Sequence, residues 1–188
     1  ILGDNIFYSP NVFYQFKYNN VLFGSHIFAY HVANPGRYGV VEFDEENNII
    51  SIEEKPKIPK SNYAIPGLYI FDSNVVQYVK ELKPSLRGEL EITDLLQKYL
   101  DIKKLKVIKM DKGTAWLDTG TFSSLMQASQ FVQVLEKRQG LKVGCIEEQA
   151  YKSGYIDSEA LKKLASKSLN SGYGQYLTSA DALTGPSA

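Results

Sequence analysis

The segment from Ser51 to Asp72 constrains the fold more than any other part of the sequence. An alternating apolar run that starts at Ile49 ends within it at the charged pair Glu54-Lys55, and prolines follow at positions 56 and 59. Proline has no N–H to donate to a sheet ladder, so a first strand must end here. The run from Tyr63 to Phe71 is aromatic and β-branched, as expected of a second strand. We therefore predict that strand ends and a lysine meet around one pocket.

The segments on either side alternate between strand and helix patterns. Residues 37–43 predict a strand that pairs antiparallel with residues 49–55, which places Tyr38-Gly39 opposite Glu54-Lys55. A glycine at this point lets a ligand approach the backbone, and a β-bulge is the alternative. Residues 73–83, 89–100 and 122–139 have helical periodicity, with two acids in the first turn of the second helix, while 104–110 and 115–120 favour strands.

This order of elements predicts an α/β fold, with a mixed, twisted, Rossmann-like sheet and a helical C-terminal subdomain. We expect a nucleotidyltransferase-type core in residues 1–120 and the helical subdomain in residues 121–178. Thr121 and Gly140 are typical of the cap and the stop of a long helix, whose Phe122, Leu125 and Met126 have core spacing. The small, polar residues 179–188 indicate a disordered or artificially added tail.

Composition excludes several classes of protein. The chain has 21 basic and 21 acidic residues, so no net field attracts nucleic acid, and it has no run of eighteen apolar residues to span a membrane. We expect a soluble protein. The one cysteine, Cys145, excludes an internal disulfide and fits a reducing cytoplasm. The two histidines, His26 and His31, lack the company of other metal ligands.

Two aspartates follow short apolar segments. Asp4 follows Ile1-Leu2-Gly3, and Asp118 ends the run that begins at Ala115. Since ligands bind outside the carboxyl ends of strands in open α/β sheets, both carboxylates are expected in one crevice. Oxygen ligands in this number suit Mg²⁺, which leaves its other positions to water and phosphates. For Asp4 an Asp-Asn turn is the alternative.

Two cations could hold a phosphate in that crevice. Lys55 would act as a point charge and Arg87 as a two-pronged donor, and solvated surface charges are the alternative for both. No Ser-His-Asp or Cys-His arrangement can be built around Cys145 or elsewhere. A metal and cations without a nucleophile point to phosphoryl-type transfer, which proceeds by positioning and charge neutralisation.

Seven motifs in sequence order resemble the glucose-1-phosphate thymidylyltransferases, a family of sugar nucleotidyltransferases. They are Gly3–Tyr8, Arg37–Val41, Glu53–Pro56, Ser61–Ala64 with Gly67–Tyr69, Arg87–Asp94, Trp116–Gly120 and Arg138–Val143. The resemblance covers residues 1 to about 177 and implies synthesis of dTDP-glucose from dTTP and glucose 1-phosphate, in dTDP-sugar pathways such as that of dTDP-rhamnose. It also implies a homo-oligomer, a tetramer by analogy.

The resemblance implies a role for each candidate residue. Asp4 and Asp118 would hold Mg²⁺, and Lys55 and Arg87, the catalytic candidates, would hold the sugar phosphate. The remaining substrate-binding residues would lie mainly against the glucosyl moiety; they are Tyr38, Gly39, Glu54, Ile65 and Trp116.

Members of this family begin with a glycine-rich loop that cradles the nucleotide phosphates, and this loop does not precede Ile1. We therefore expect residues 1–188 to be a C-terminal portion that is inactive alone. A related pyrophosphorylase that uses another nucleoside triphosphate is one alternative, and a non-catalytic sugar-phosphate-binding or assembly domain is another. A glycosyltransferase would want Asp-x-Asp, whereas this chain has Asp4-Asn5-Ile6.

Overall fold

The computed structural model describes residues 1–9 and 23–179, which divide into two units between Gly120 and Thr121. The predicted tail lies outside the described residues from position 180 onward. In the first unit the strands are β1 (Asn5–Tyr8), β2 (Ser25–His31), β3 (Gly39–Phe43), β4 (Ile49–Glu54), β5 (Tyr63–Ile65), β6 (Tyr69–Phe71), β7 (Leu105–Lys109) and β8 (Ala115–Asp118). The helices among the described residues of this unit are α1 (Val75–Lys80) and α2 (Ile92–Asp101), and a 3-10 turn covers Pro35–Arg37.

Strand β2 lies at the centre of the main sheet. It pairs in parallel with β7 on one side and antiparallel with β5 and β6 on the other, and β3 and β4 continue the sheet from β5. Ile27, Phe28 and Ala29 are fully buried because both faces of this strand are covered. The mixed sheet and its helices confirm the predicted α/β class.

The predicted hairpin of β3 and β4 is confirmed. Gly39 lies opposite Glu54, and the Lys55 N–H donates a hydrogen bond of 3.0 Å to the Tyr38 carbonyl. The pairing shifts register between Glu42 and Phe43 at the far end of the strands. The sequence alternative of a β-bulge at Gly39 is therefore wrong.

The predicted second strand from Tyr63 to Phe71 is two strands. Pro66, which has no N–H, follows β5, and the Leu68 N–H then donates to the Pro66 carbonyl at 2.7 Å in a tight turn. The two halves, β5 and β6, pair with different ends of β2.

The start of the chain differs from its prediction. Ile1 and Leu2 are exposed and lie outside any strand, and Gly3 and Asp4 form a turn. Asp4 therefore precedes β1 and does not end a parallel strand. β1 pairs antiparallel with β8 in a separate two-stranded sheet, in which Asn5 lies opposite Asp118. This antiparallel pairing brings Asp4 to the end of β8, so the aspartates meet by a route that differs from the predicted one.

Helix α2 begins later than the sequence predicted, at Ile92. A hydrogen bond of 2.8 Å from the Ser85 N–H to the Glu89 carbonyl closes a turn before it, and Gly88 takes a left-handed φ of 79° there. The acid in its first turn is Asp94, and the predicted pair at 89 and 91 lies outside. The turn presents Arg87 to solvent.

The second unit contains helices α3 (Phe122–Gln139), α4 (Ile146–Lys152), α5 (Ser158–Ser166) and α6 (Gly172–Leu177). The Thr121 side chain accepts from the Ser124 N–H, and Gly140 is left-handed, so the predicted ends of α3 are confirmed. The unit packs around Cys145, Leu161, Ala165, Tyr176 and Leu177.

The apolar face of α3 is not the predicted core. Phe122 is 92% exposed, and Leu125 and Met126 are also exposed, whereas Ala128 is the buried residue of this helix. Helical periodicity predicts which residues share a face of the helix, but it does not predict whether another element packs on that face. No helix in the described ranges has the length and apolar character needed to cross a bilayer.

Candidate active site

A cleft of about 250 Å³ opens in the first unit where four parts of the chain converge. They are the β1–β8 pair, the end of the β3–β4 hairpin, the β5–β6 segment and the start of α2. All the predicted site residues except Arg87 line this cleft, and Arg87 lies against one of the lining residues.

Two carboxylates converge at the β1–β8 end. A β-carbon placed on Gly120 would lie 3.1 Å from Asp118 Oδ1 and 3.7 Å from Asp4 Oδ2. The backbone fixes both residues, since the Thr119 N–H and hydroxyl each donate to the Asp4 carbonyl at 2.8 Å. The Gly120 N–H donates to Asp118 Oδ1 at 3.0 Å.

This donor set fits Mg²⁺. The ion takes oxygen ligands and usually uses one or two carboxylates, with water and substrate phosphates in its other positions. Among the described residues no group of three or more His, Cys, Asp or Glu side chains surrounds a common point. The Asp4–Asp118 pair meets the simpler requirement of Mg²⁺.

Asn5 forms hydrogen bonds that hold together the wall beside these carboxylates. The sequence analysis did not predict this role. Its Oδ1 accepts from the Gly67 N–H at 3.0 Å and from the Trp116 indole N–H at 2.6 Å. Its amide group donates to Asp4 Oδ1 at 2.8 Å. One side chain thus connects β8, the turn before β6 and a candidate metal ligand.

Trp116 and Tyr38 form the aromatic wall. Their ring centroids are 4.9 Å apart with a tilt of 60°, and Tyr30 meets Trp116 edge-on at 5.7 Å. Burial and the neighbouring Asp118 carboxylate raise the pKa of Tyr38. Its phenol therefore stays protonated at neutral pH and remains a hydrogen-bond donor.

Gly39 and Glu54 form the opposite wall. A β-carbon on Gly39 would lie 3.0 Å from the Thr93 methyl carbon, 3.5 Å from Glu54 Oε2 and 3.6 Å from Ile65 Cδ1. Only glycine leaves that space open. Glu54 is half-buried, and burial, followed by the nearby Glu91, raises the pKa of its carboxyl group.

The two predicted cations meet at Glu54. Lys55 Nζ lies 3.8 Å from Glu54 Oε1, and Arg87 Nη1 lies 4.0 Å from the same oxygen. Two further carboxylates hold the guanidinium, with Glu91 Oε1 at 3.5 Å and Glu89 Oε2 at 2.9 Å. Lys55 also has a φ of 41°, a left-handed conformation that is uncommon for a residue with a side chain.

Several lining residues were missed by the sequence analysis. Arg37 lies at the cleft beside Tyr38, and the Arg-Tyr-Gly motif was the signal that could have identified it. Thr93 is buried at the start of α2, where nothing local marks it. Burial raises the pKa of Tyr69 to about 12, with Glu54 adding to the effect, so this phenol is another protonated donor in the cleft.

Comparison with known proteins places the chain among enzymes. The family described as nucleotidyl transferase matches residues 1–134. A glucose-1-phosphate thymidylyltransferase of Mycolicibacterium smegmatis is 53% identical over 176 residues, which are 94% of this chain and 61% of the relative. The Mycobacterium tuberculosis protein of the same name is 53% identical over 177 residues, which are 94% of this chain and 62% of that protein.

A crystal structure from Bacillus anthracis, assigned as a glucose-1-phosphate thymidylyltransferase in complex with a sucrose, aligns with a TM-score of 0.61. It shares 45% identity, over 70% of this chain and 52% of the other. The chain thus spans about three fifths of the length of the curated relatives named above, 61% and 62%.

Proposed function

The chain belongs to the nucleotidyl transferase family, and we propose that the protein it represents transfers a nucleotidyl group from dTTP to glucose 1-phosphate, which yields dTDP-glucose and pyrophosphate. One observation carries the proposal. A single cleft combines the converging carboxylates of Asp4 and Asp118 with the cation Lys55, and Arg87 lies beside it against the lining residue Glu54, in a chain 53% identical to a glucose-1-phosphate thymidylyltransferase.

The sugar would lie between the aromatic wall and Gly39. Glu54 would accept hydrogen bonds from sugar hydroxyls, because its Oε2 faces the space beside Gly39, which is open since glycine has no side chain. Tyr38 and Trp116 offer ring surface and Ile65 offers an apolar contact. Small-molecule sites commonly combine apolar contact surface with polar groups that fix the orientation of the ligand.

Lys55 and Arg87 would bind the phosphate of the sugar and orient one of its oxygens towards the α-phosphorus of dTTP. That oxygen forms a new bond to the α-phosphorus, while the bond from the α-phosphorus to the bridging oxygen breaks and pyrophosphate leaves. A phosphate monoester is largely dianionic at neutral pH, because its second pKa is about 6. The nucleophile therefore needs no base, which agrees with a site built for positioning.

Asp4 and Asp118 would hold Mg²⁺ in this reaction. The ion, when bound, supplies positive charge against the phosphate groups that react. The backbone hydrogen bonds from Thr119 and Gly120 keep the two aspartates in place.

We also propose that the protein works in dTDP-sugar synthesis, such as that of dTDP-rhamnose, in the cytoplasm and as a homo-oligomer. The exposed Phe122, Leu125 and Met126 on α3 support an assembled state, because an apolar stripe of this kind favours burial. Light scattering of the full-length protein measures the assembly.

Release of pyrophosphate from dTTP and glucose 1-phosphate by the full-length protein tests the activity. We expect turnover that requires Mg²⁺ and a kcat/KM for dTTP above those for UTP, ATP and CTP. Equal or better use of another triphosphate would replace dTTP in the proposal. Absence of turnover with every triphosphate, while glucose 1-phosphate still binds, would favour a binding domain.

A further inference from the structure

We propose that Glu54 is a place-holder for the substrate phosphate: in the free protein its carboxylate lies against Lys55 and Arg87, and an arriving phosphate displaces it from them. The released carboxylate then accepts hydroxyl groups of the sugar. The inference rests on the proposed function and adds to it a coupling between the two halves of one substrate.

The two oxygens of Glu54 face different groups. Oε1 lies 3.8 Å from Lys55 Nζ and 4.0 Å from Arg87 Nη1, so one oxygen bridges both cations. Oε2 lies on the other side, 3.5 Å from the position of a Gly39 β-carbon at the cleft wall. The carboxylate therefore stands between the cation pair and the open space of the cleft.

The contacts of Oε1 are weak enough to be exchanged. Direct hydrogen bonds between charged groups have donor–acceptor distances of about 2.7–2.9 Å, and both distances here are longer. Attraction at this range is electrostatic and screened, because Lys55 and Arg87 are about half exposed. A phosphate that makes direct hydrogen bonds to both cations would replace Glu54 at Oε1.

The backbone of Lys55 and the guanidinium of Arg87 have other partners besides Glu54. The Lys55 N–H is bound to the Tyr38 carbonyl, and Arg87 is also paired with Glu89 and Glu91. Loss of Glu54 therefore leaves two cations with less negative charge beside them. Neutralising those cations with phosphate also weakens two of the three influences that lower the pKa of Glu54, the third being its hydrogen bond with Thr93, so the carboxylate becomes a better acceptor for hydroxyl groups.

Glu54→Gln in the full-length protein separates this role from ordinary substrate binding. A carboxylate that only binds the sugar affects inorganic phosphate through its charge alone, whereas a place-holder also competes with it for the two cations. We expect Glu54→Gln to bind inorganic phosphate about fivefold more tightly by titration calorimetry. Phosphate affinity that is unchanged or weaker would overturn the inference.

Glu53→Gln is the matched control. It removes the same charge one residue earlier on β4, where the side chain faces the opposite side of the strand and pairs with Lys60 at 2.7 Å. We expect its phosphate affinity to stay within about twofold of the wild type, which is the range of experimental and long-range charge effects. An equal gain in both variants would reduce the effect to net charge and overturn the inference.

A measurement on the wild type needs no variant. Saturating phosphate should raise the affinity for free glucose several-fold, and glucose should raise the affinity for phosphate by the same factor, since coupling between two sites is reciprocal. Independent binding of the two would overturn the inference. Lys55→Met separates a failure of the proposed function from a failure of the place-holder role. Phosphate binding that does not depend on Lys55 would refute the proposed phosphate site as well as the place-holder. Phosphate binding that depends on Lys55 but is not coupled to glucose binding would refute the place-holder alone.

Discussion

Lys55→Gly should give a more stable fold than Lys55→Ala, while both variants impair the reaction. Lys55 has a φ of 41°, which glycine adopts freely. The left-handed conformation costs a residue with a side chain about 1–2 kcal/mol. Glycine loses about 0.4–1 kcal/mol of this advantage through the greater entropy of its unfolded chain. The glycine variant should therefore be more stable than Lys55→Ala by about 0.5–1 kcal/mol.

The comparison with Lys55→Ala isolates the backbone. Both variants lose the half-exposed pair with Glu54, a loss of under about 1 kcal/mol that cancels between them. For a domain of this size the difference corresponds to a melting temperature about 1–4 °C higher in the glycine variant. Both variants should lose one charge-assisted contact with the phosphate, a 10- to 150-fold fall in kcat/KM, or about 1.5–3 kcal/mol.

Lys57 supplies the control, because it is exposed and has no positive φ. There the order should reverse, with Lys57→Gly less stable than Lys57→Ala and with kcat/KM unchanged in both. Thermal and urea unfolding give the stabilities, and release of pyrophosphate gives the rates. A Lys55→Gly variant no more stable than Lys55→Ala would refute the argument from strain. An unchanged kcat/KM would refute the assignment of Lys55 to the phosphate.

Two further predictions concern the carboxylates. Asp118→Asn keeps the shape of the side chain but loses its charge. Turnover should therefore collapse and the Mg²⁺ concentration for half-maximal activity should rise, while the fold persists. If that Mg²⁺ concentration equals the wild-type value, Asp118 is a turn residue and not a metal ligand. Lys142 and the Val143 N–H lower the pKa of Glu136, so its stabilisation is present above the unfolded pKa of 4.5 and is lost as pH falls through the folded pKa. Unfolding of Glu136→Gln between pH 3 and 7 should show a deficit at pH 7 that disappears on acidification, and a constant deficit would contradict this.

Elements whose ends or pairing are set by residues close in sequence were predicted correctly. Thr121 and Gly140 define the ends of α3 because a cap and a left-handed stop act within one helical turn. The hairpin that brings Gly39 to Glu54 follows from alternation and a polar tip. These features depend on neighbours in sequence, so a single sequence contains them.

Features set by distant contacts were not predictable in the same way. The route by which Asp4 reaches Asp118 depends on the β1–β8 pairing, which no local pattern specifies. The Asn5 contacts with Gly67 and Trp116 span 62 and 111 positions. The helical pattern in the sequence extends back to Glu89, but the turn around Gly88 precedes the helix, and Arg87 in that turn lies against Glu54. The cleft residues that were missed, such as Thr93, owe their place to such packing.

The position of Trp116 gives this chain an optical property. Trp116 is the single tryptophan of the sequence, and its indole N–H is bound to Asn5 while its ring lies against Tyr38 in the cleft. Excitation at ultraviolet wavelengths too long for tyrosine to absorb therefore gives fluorescence from Trp116 alone, which reports on this cleft. A sugar placed against the indole would change its polarity and its quenching, so the emission spectrum reports occupancy of the cleft in real time without any attached label.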